Sequence, residues 1–446
     1  MDYLNNKRKF RFNNYFSHSD FNNKTLIFFS LVVILFSVVR GLVPLIANNG
    51  NITLPAYGFS YFLGLLLSSY GLYMAFIKNK YIIRKEVYYL LITNLFFTLY
   101  WVFPLIILGT ESTYFISMAN KCLFPFTIFA FIKIPEKKLI VLLRIITLVV
   151  AGFVFLDFIM LNTTLFPNGY DLAFSRHKIL RPEFAGFGFT GGTGVYFRPS
   201  GIFGTSSPHD SANMLAILFV FWLSMSFRLK GQRFSFTPYA FLSFFMLLLT
   251  TSASNIVAGF VGMFLVLAAN KKKIISVKSL FIFGLLITPV LVWLYNNYYE
   301  DIKVLWIFKD RLGGKEANWE GLTSYYGTSF WNDLFSFFFG WGSSLDITRA
   351  GYYAEQSLVK GLFEYGLLHS IVFFLLLLYP VIIYLMDNKS IDKNNVYPYM
   401  ITILVGFISL WHYGSILRTT NVFVFYAIYA QLLRKDIIFR FKRSFE

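Results

Sequence analysis

Cysteine is nearly missing from this chain: one residue, Cys122, among 446. That excludes a disulfide framework, so whatever lies outside a membrane is held without covalent staples. Charge is scarce too. Asp, Glu, Lys and Arg make up 14% of the residues, against about 25% in ordinary soluble domains. Acidic groups are the rarer sign, 22 against 40 Lys and Arg. Histidine occurs 5 times, and neither His177 nor the His209-Asp210 pair stands at a zinc-ligand spacing, so no metal site is read. What fills the chain instead is apolar, 57% hydrophobic and 21% aromatic. A soluble globular fold is thereby excluded.

Apolar runs of about 20 residues, the length that crosses a bilayer, recur from Leu26 to Leu432. The reading is an all-α, polytopic integral membrane protein with about 12 spans, at 25–46, 54–77, 87–109, 112–132, 139–160, 209–227, 235–250, 253–270, 279–296, 357–386, 396–416 and 420–434. Most Lys and Arg fall in alternate connections: the N-terminal segment, 78–85, 133–138, 228–233, 271–278, 388–393 and the C-terminal tail. The short connections between them, 47–53, 110–111 and 251–252, have none. By the positive-inside rule both termini are cytoplasmic. Residues 1–24 then form an N-terminal tail, 25–434 one transmembrane domain and 435–446 a C-terminal tail. The first span lacks a small-residue cleavage site and reads as retained. The net charge of +18 is distributed as a membrane topology signal rather than as a nucleic-acid footprint.

Two connections are long, about 161–208 and 297–356, and both fall on the extracytoplasmic side. They keep Arg176, Lys178, Arg181 and Arg198, and Lys303, Lys309, Arg311, Lys315 and Arg349. Long external loops are exempt from the charge rule, but the clustering also fits a bound anion. Arg198 is the sharpest instance, a lone guanidinium in a Gly/Ser/Pro turn ahead of a long apolar run. A cation at membrane depth costs ~2.5 kcal/mol or more and needs a reason.

Other segments divide between chemistry and structure. GFGFTGGTG (186–194) lacks the Lys-Ser/Thr of a nucleotide P-loop and reads first as a glycine-rich loop. His209-Asp210 caps the start of the sixth span as readily as it serves a site. FWNDLFSFFFGWG (330–342) places its aromatic residues on one helical stripe, which suits an interfacial helix. Gln356, Lys360 and Glu364 recur every four residues, and the last two neutralise each other as readily as they act on a substrate. Glu355, at the outer mouth of that helix, is either a proton acceptor or a helix-start carboxylate. Arg40, Lys121, Asp157 and Arg418 lie within or beside spans, where ionisable groups are functional candidates by default; Asp157 and Lys121 could pair.

Three segments carry a resemblance: RPSGIFGTSSPHDSANMLA (198–216), LLLTTSASNIVAGFVG (247–262), and FGWGSS followed by AEQSLVKGLFEYGLLHS (354–370). In order and membrane side they resemble the O-antigen polymerase and O-antigen ligase superfamily of bacterial envelope biogenesis. The resemblance implies a GT-C-like glycosyltransferase architecture in the inner membrane. It further implies metal-independent, cofactor-free transfer of glycan from a polyprenyl pyrophosphate to an acceptor hydroxyl. Its ligases carry His-Asn where this chain has Glu355-Gln356, which favours the polymerase. Arg198 and Arg311, backed by Arg349 and Arg418, are the expected pyrophosphate ligands, since an arginine fork binds two phosphate oxygens at once. Glu355 is the expected base, with Lys360, Glu364, His209 and Gln356 in support. Expected partners are the lipid-linked oligosaccharide, membrane lipid and a chain-length regulator, with no nucleic acid. The alternatives are an O-antigen ligase acting on a lipid core and a lipid-linked glycan flippase. The chain shows no echo between its halves of the kind transporters carry.

Overall fold

Helix α7, His209–Arg228, is surrounded by the rest of the bundle, and 17 of its 20 residues are buried. Its sequence explains this, because MLAILFVFW is apolar on every face and a helix with no polar side has nowhere to go but inside. The structure, a computed structural model, describes residues 21–78, 83–108, 119–166, 168–169, 171–172, 175, 179, 198–201, 209–229, 233–269, 338–339, 357–386, 393–409 and 419–443. Among the described residues there is no strand. In chain order the other helices are α1 Phe21–Val39, α2 Leu42–Ile46, α3 Thr53–Tyr73, α4 Lys85–Leu108, α5 Ile128–Phe131 and α6 Glu136–Asn162. Beyond α7 follow α8 Arg233–Leu249, α9 Ala253–Ala269, α10 Ser357–Met386, α11 Lys393–Ser409 and α12 Thr419–Arg443.

Among the described residues three helical stretches are long and apolar enough to cross a membrane: Gly50–Ile77, Glu136–Asn162 and His209–Arg228. Shorter apolar helices surround them. Helix α7 packs against α6, α8, α9, α11 and α12, while α12 also meets α1 and α5, and α10 joins α4 to α11. The Trp222 indole is fully buried in this core and donates to Thr147 Oγ1 on α6 at 2.8 Å. Burying the aromatic ring is favourable only because its N–H finds that acceptor.

Helix α3 shows how small residues set the spacing. Ala56, Ser60, Gly64 and Ser68 repeat every four residues and are all buried, as is Gly71. Such a stripe lets a neighbouring backbone approach closely. The neighbour is the 3-10 turn Phe124–Thr127. A Cβ at Gly71 would lie 1.9 Å from the Phe126 carbonyl oxygen, and one at Gly64 would strike the Phe423 and Phe124 rings.

Several expected spans have more structure than a plain helix. The stretch 25–46 divides at Arg40-Gly41, where Arg40 is buried with its guanidinium 4.1 Å from the Tyr57 ring centroid. The stretch 112–132 is described from Ala119 and winds as a π turn, a 3-10 turn around Pro125 and then α5. Helix α10 is broken at Gly366, whose φ of 79° and ψ of 169° lie outside any helix. Helix α12 runs past the expected end at 434 to Arg443. The stretch 279–296 lies outside the described residues, as do most of the two long loops.

The end of the bundle that carries the basic connections is tied by ions. Glu136 accepts from Arg228 Nη1 at 2.6 Å and from the Tyr399 hydroxyl at 2.5 Å, and it also pairs with Lys435. Arg84 grips Asp436 with a two-pronged contact, 3.1 and 2.9 Å. Arg434 Nη1 donates to the Ile132 carbonyl at 2.7 Å and to that of Ile134 at 3.1 Å. The extra turns of α12 thereby gain a purpose: they carry Lys435 and Asp436 to partners on other helices.

Candidate functional site

At the other end of α7, polar groups from five parts of the chain meet. The organising feature is the break between α8 and α9 at Thr250, Thr251 and Ser252, all fully or almost fully buried. A helix ends with carbonyls that have no partner within it, and burying them demands a donor. Arg198 supplies it. Its Nε donates to the Thr250 carbonyl at 3.2 Å and to Thr251 Oγ1 at 3.0 Å, and its Nη2 to the Thr251 carbonyl at 3.4 Å. A cation at a helix C-terminus also answers the negative end of the macrodipole. Thr251 takes a φ of 48°, a left-handed conformation that strains a β-branched residue. The guanidinium grips both faces of that strained turn.

The segment 198–201 is a strap laid between helices. The Gly201 N–H donates to Asp157 Oδ2 on α6 at 2.6 Å, and Ser211 Oγ on α7 donates to the Ser200 carbonyl. Gly201 sits at φ 68°, and a Cβ there would press Val154 Cγ2 at 3.1 Å and Ser211 Oγ at 3.2 Å. Asp157, fully buried in the apolar length of α6, is thus a fastening for the strap.

The first turn of α7 continues the network. His209 Nδ1 shares a hydrogen bond of 2.9 Å with Ser252 Oγ, which also accepts from Asn255 Nδ2 at 2.9 Å. Asn421, near the start of α12, donates to the Asp210 carbonyl and to Asn213 Oδ1, both at 3.1 Å. Asn213 Nδ2 in turn approaches Asn255 Oδ1 at 3.5 Å. His209, Asp210, Asn213, Asn255 and Asn421 are all buried. Neutral amides satisfy one another here at a smaller desolvation cost than charges would bring.

The structure therefore brings together Arg198 and His209, and with them the Arg-Pro-Ser-Gly strap and the Thr-Thr-Ser junction. Glu355, Gln356, Arg311, Arg349 and Arg418 lie outside the described residues. Lys360 and Glu364 fall on the first turns of α10, ahead of the Gly366 break, and their side chains also lie outside. Of the expected interfacial helix, Phe338 and Phe339 are described, and the Phe339 ring meets Tyr100 of α4 at 6.1 Å. Among the described residues no three His, Cys, Asp or Glu side chains group as metal ligands.

Sequence reading missed Asn213, Asn255 and Asn421, each a lone amide in an apolar run, which is the available signal. It also missed a second polar contact deep in the bundle. His369 on α10 shares a 3.1 Å hydrogen bond between Nε2 and Asn94 Oδ1, stacks on Phe97 and is buried, while Asn94 Nδ2 donates to the Lys121 carbonyl at 2.9 Å. That contact pins α10 to α4 one turn past its break.

No family model matches the chain, and no curated protein matches it.

Proposed function

We propose that this chain is a membrane glycosyltransferase, a polysaccharide polymerase of O-antigen or capsule type. In this reading it moves a glycan from polyprenyl pyrophosphate to the hydroxyl of a lipid-linked repeat unit at the outer face of a bacterial inner membrane. About 12 spans in a GT-C-like arrangement, with both termini on the basic, cytoplasmic side, form its body. The observation that supports the reading is the clamp of Arg198 on Thr250 and Thr251. Two of the three segments behind the family resemblance, far apart in sequence, pack as one unit at the end of α7 opposite the ionic clasp.

The chemistry asks little of the protein beyond placement and charge. The anomeric carbon–oxygen bond to pyrophosphate breaks as the acceptor hydroxyl attacks, and the acceptor's proton passes to a base. Glu355 is that base. Arg311, Arg349 and Arg418 bind the departing pyrophosphate, with Arg198 holding the floor of the site and adding its charge. Gln356, Lys360 and Glu364 line the acceptor side.

Removing the protein from its cells tests this. Loss of long surface chains while single repeats remain attached is the expected outcome. Long lipid-linked chains without surface attachment would replace the polymerase by the ligase. Unit-length intermediates trapped on the inner leaflet would replace it by the flippase.

A further inference from the structure

Among the described residues no carboxylate pairs with Arg144. Arg144 lies on α6, eight residues into the helix from Glu136, or about 12 Å along it at 1.5 Å per residue. Its face looks outward: Val141, Ile145 and Leu148 are exposed, and Lys137 continues the same stripe toward the helix start. The guanidinium lies against α8, with its carbon 5.2 Å from the Phe236 ring centroid and 5.5 Å from that of Tyr239. Nη2 donates to Ser235 Oγ at 2.5 Å, and the buried Nε has no acceptor among the described residues. Arg84 and Arg228 face Asp436 and Glu136, and Arg198 and Arg434 face carbonyls.

Depth tells what the missing anion is. Side chains on a helix lean toward its N-terminus, which for α6 is the basic end of the bundle. Arg144 thus climbs from the apolar length of α6 to Ser235, a residue of the first turn of α8. That is the snorkelling geometry of an arginine whose head sits at the headgroup level of a bilayer. Arg233, in that same turn with its guanidinium 5.4 Å from the Phe227 ring centroid, and Lys137, two turns nearer the start of α6, add exposed positive charge at the basic end. Deeper along the seam between α6 and α8, Leu148 and Phe241 are exposed apolar side chains. The Phe236 and Tyr239 rings of α8 hold the fork in place, so little entropy is lost when an anion arrives.

We propose that the α6–α8 groove is a binding site for an anionic phospholipid of the leaflet on the basic side. The phosphodiester meets the Arg144 fork, Lys137 and Arg233 add positive charge toward the basic end, and the acyl chains run along Leu148 and Phe241. A built site for structural lipid, on the opposite end of the bundle from the Arg198 strap, is its consequence. The proposal rests on the bilayer placement in the reading above and is independent of the transfer chemistry.

Native mass spectrometry of the whole protein released from mixed phosphatidylglycerol and phosphatidylcholine vesicles tests it. The wild type retains one phosphatidylglycerol molecule more than Arg144→Ala, whose apparent affinity for that lipid falls about fivefold, the effect of one interfacial cation. Arg144→Lys retains much of the difference. Should Arg144→Ala misfold, as shown by labelling of the buried Cys122, Arg144→Gln takes its place. Equal retention in wild type and a folded Arg144 variant overturns the site, as does a wild type that does not prefer phosphatidylglycerol. Displacement of the lipid by inorganic phosphate would assign the site to a free anion and overturn the lipid reading. Because the readout is binding, cells that keep their long surface chains without the protein would remove the polymerase reading and leave this result standing.

Discussion

Replacing Arg198 by alanine should loosen the bundle before it affects any substrate. The side chain is 4% exposed and donates to the Thr250 carbonyl, Thr251 Oγ1 and the Thr251 carbonyl. Hydrogen bonds from a charged donor are worth about 1.5–3 kcal/mol each, and a buried acceptor left without its donor loses about 1–3 kcal/mol. Counting the two shorter contacts and allowing for relaxation, the loss is about 3 kcal/mol. Arg198→Lys should recover roughly half, since one ammonium reaches one side of the turn where the fork reaches both. Thr251 adds an internal control. Thr251→Ala loses the hydroxyl and keeps the strained φ of 48°. Thr251→Gly loses the hydroxyl but relieves about 1–2 kcal/mol of left-handed strain. The glycine variant should therefore be the more stable of the two. The chain reports its own unfolding, because its single cysteine, Cys122, is fully buried. Labelling by a thiol-reactive fluorophore during heating should begin several degrees earlier in Arg198→Ala. Wild-type labelling temperatures for Arg198→Ala, or a glycine variant weaker than the alanine one, would refute the clamp.

Two further expectations concern the frame. Gly71→Ala places a methyl group where the Phe126 carbonyl oxygen is 1.9 Å away. Backbone atoms must then part, at about 1–3 kcal/mol or more, so the membrane-inserted yield falls and Cys122 labels earlier. Glu136→Gln leaves Arg228 and Lys435 without their shared carboxylate. Arg228 is nearly buried while Glu136 and Lys435 are each about a fifth exposed, so screening trims the loss to about 1–2 kcal/mol. Raising salt should narrow the gap between wild type and Glu136→Gln in the same labelling assay, and a gap indifferent to salt would assign the contact to packing.

Much of the helical layout was legible because apolar runs here are bounded by charge or by helix breakers. The expected stretches 209–227, 235–250 and 253–270 differ by a residue or two from α7, α8 and α9. The junction between the last two could be read from Thr-Thr-Ser, since hydroxyl residues compete for backbone groups and end helices. The role of Arg198 was half legible. Its cost at membrane depth announced a partner, but composition cannot distinguish an anion from the carbonyls of a helix end 52 residues away. The amide network was not legible, since Asn421 meets Asp210 across 211 residues. The break in α10 was hidden as well. Gly366 lies in an apolar run, and glycine there is as compatible with a continuous helix as with the φ of 79° it adopts.

The two ends of α7 solve the same problem by different chemistry, and position explains the choice. At the basic end, Glu136, Arg228 and Lys435 keep part of their surface in water, so full ions pair without full desolvation. At the opposite end the polar groups are almost wholly enclosed, and amides, hydroxyls and carbonyls replace ion pairs in the contacts around Thr251 and Asn421. Of the charged residues there, Arg198 and Asp157 are each tied to backbone: carbonyls for the cation, an N–H for the anion. Side-chain charge held by backbone fixes loop shape, because moving the loop exposes a buried ion to hydrocarbon. On the function proposed above, aligning two lipid-linked substrates would gain most from that rigidity where the loop enters the bundle. The strap 198–201 is where this chain provides it.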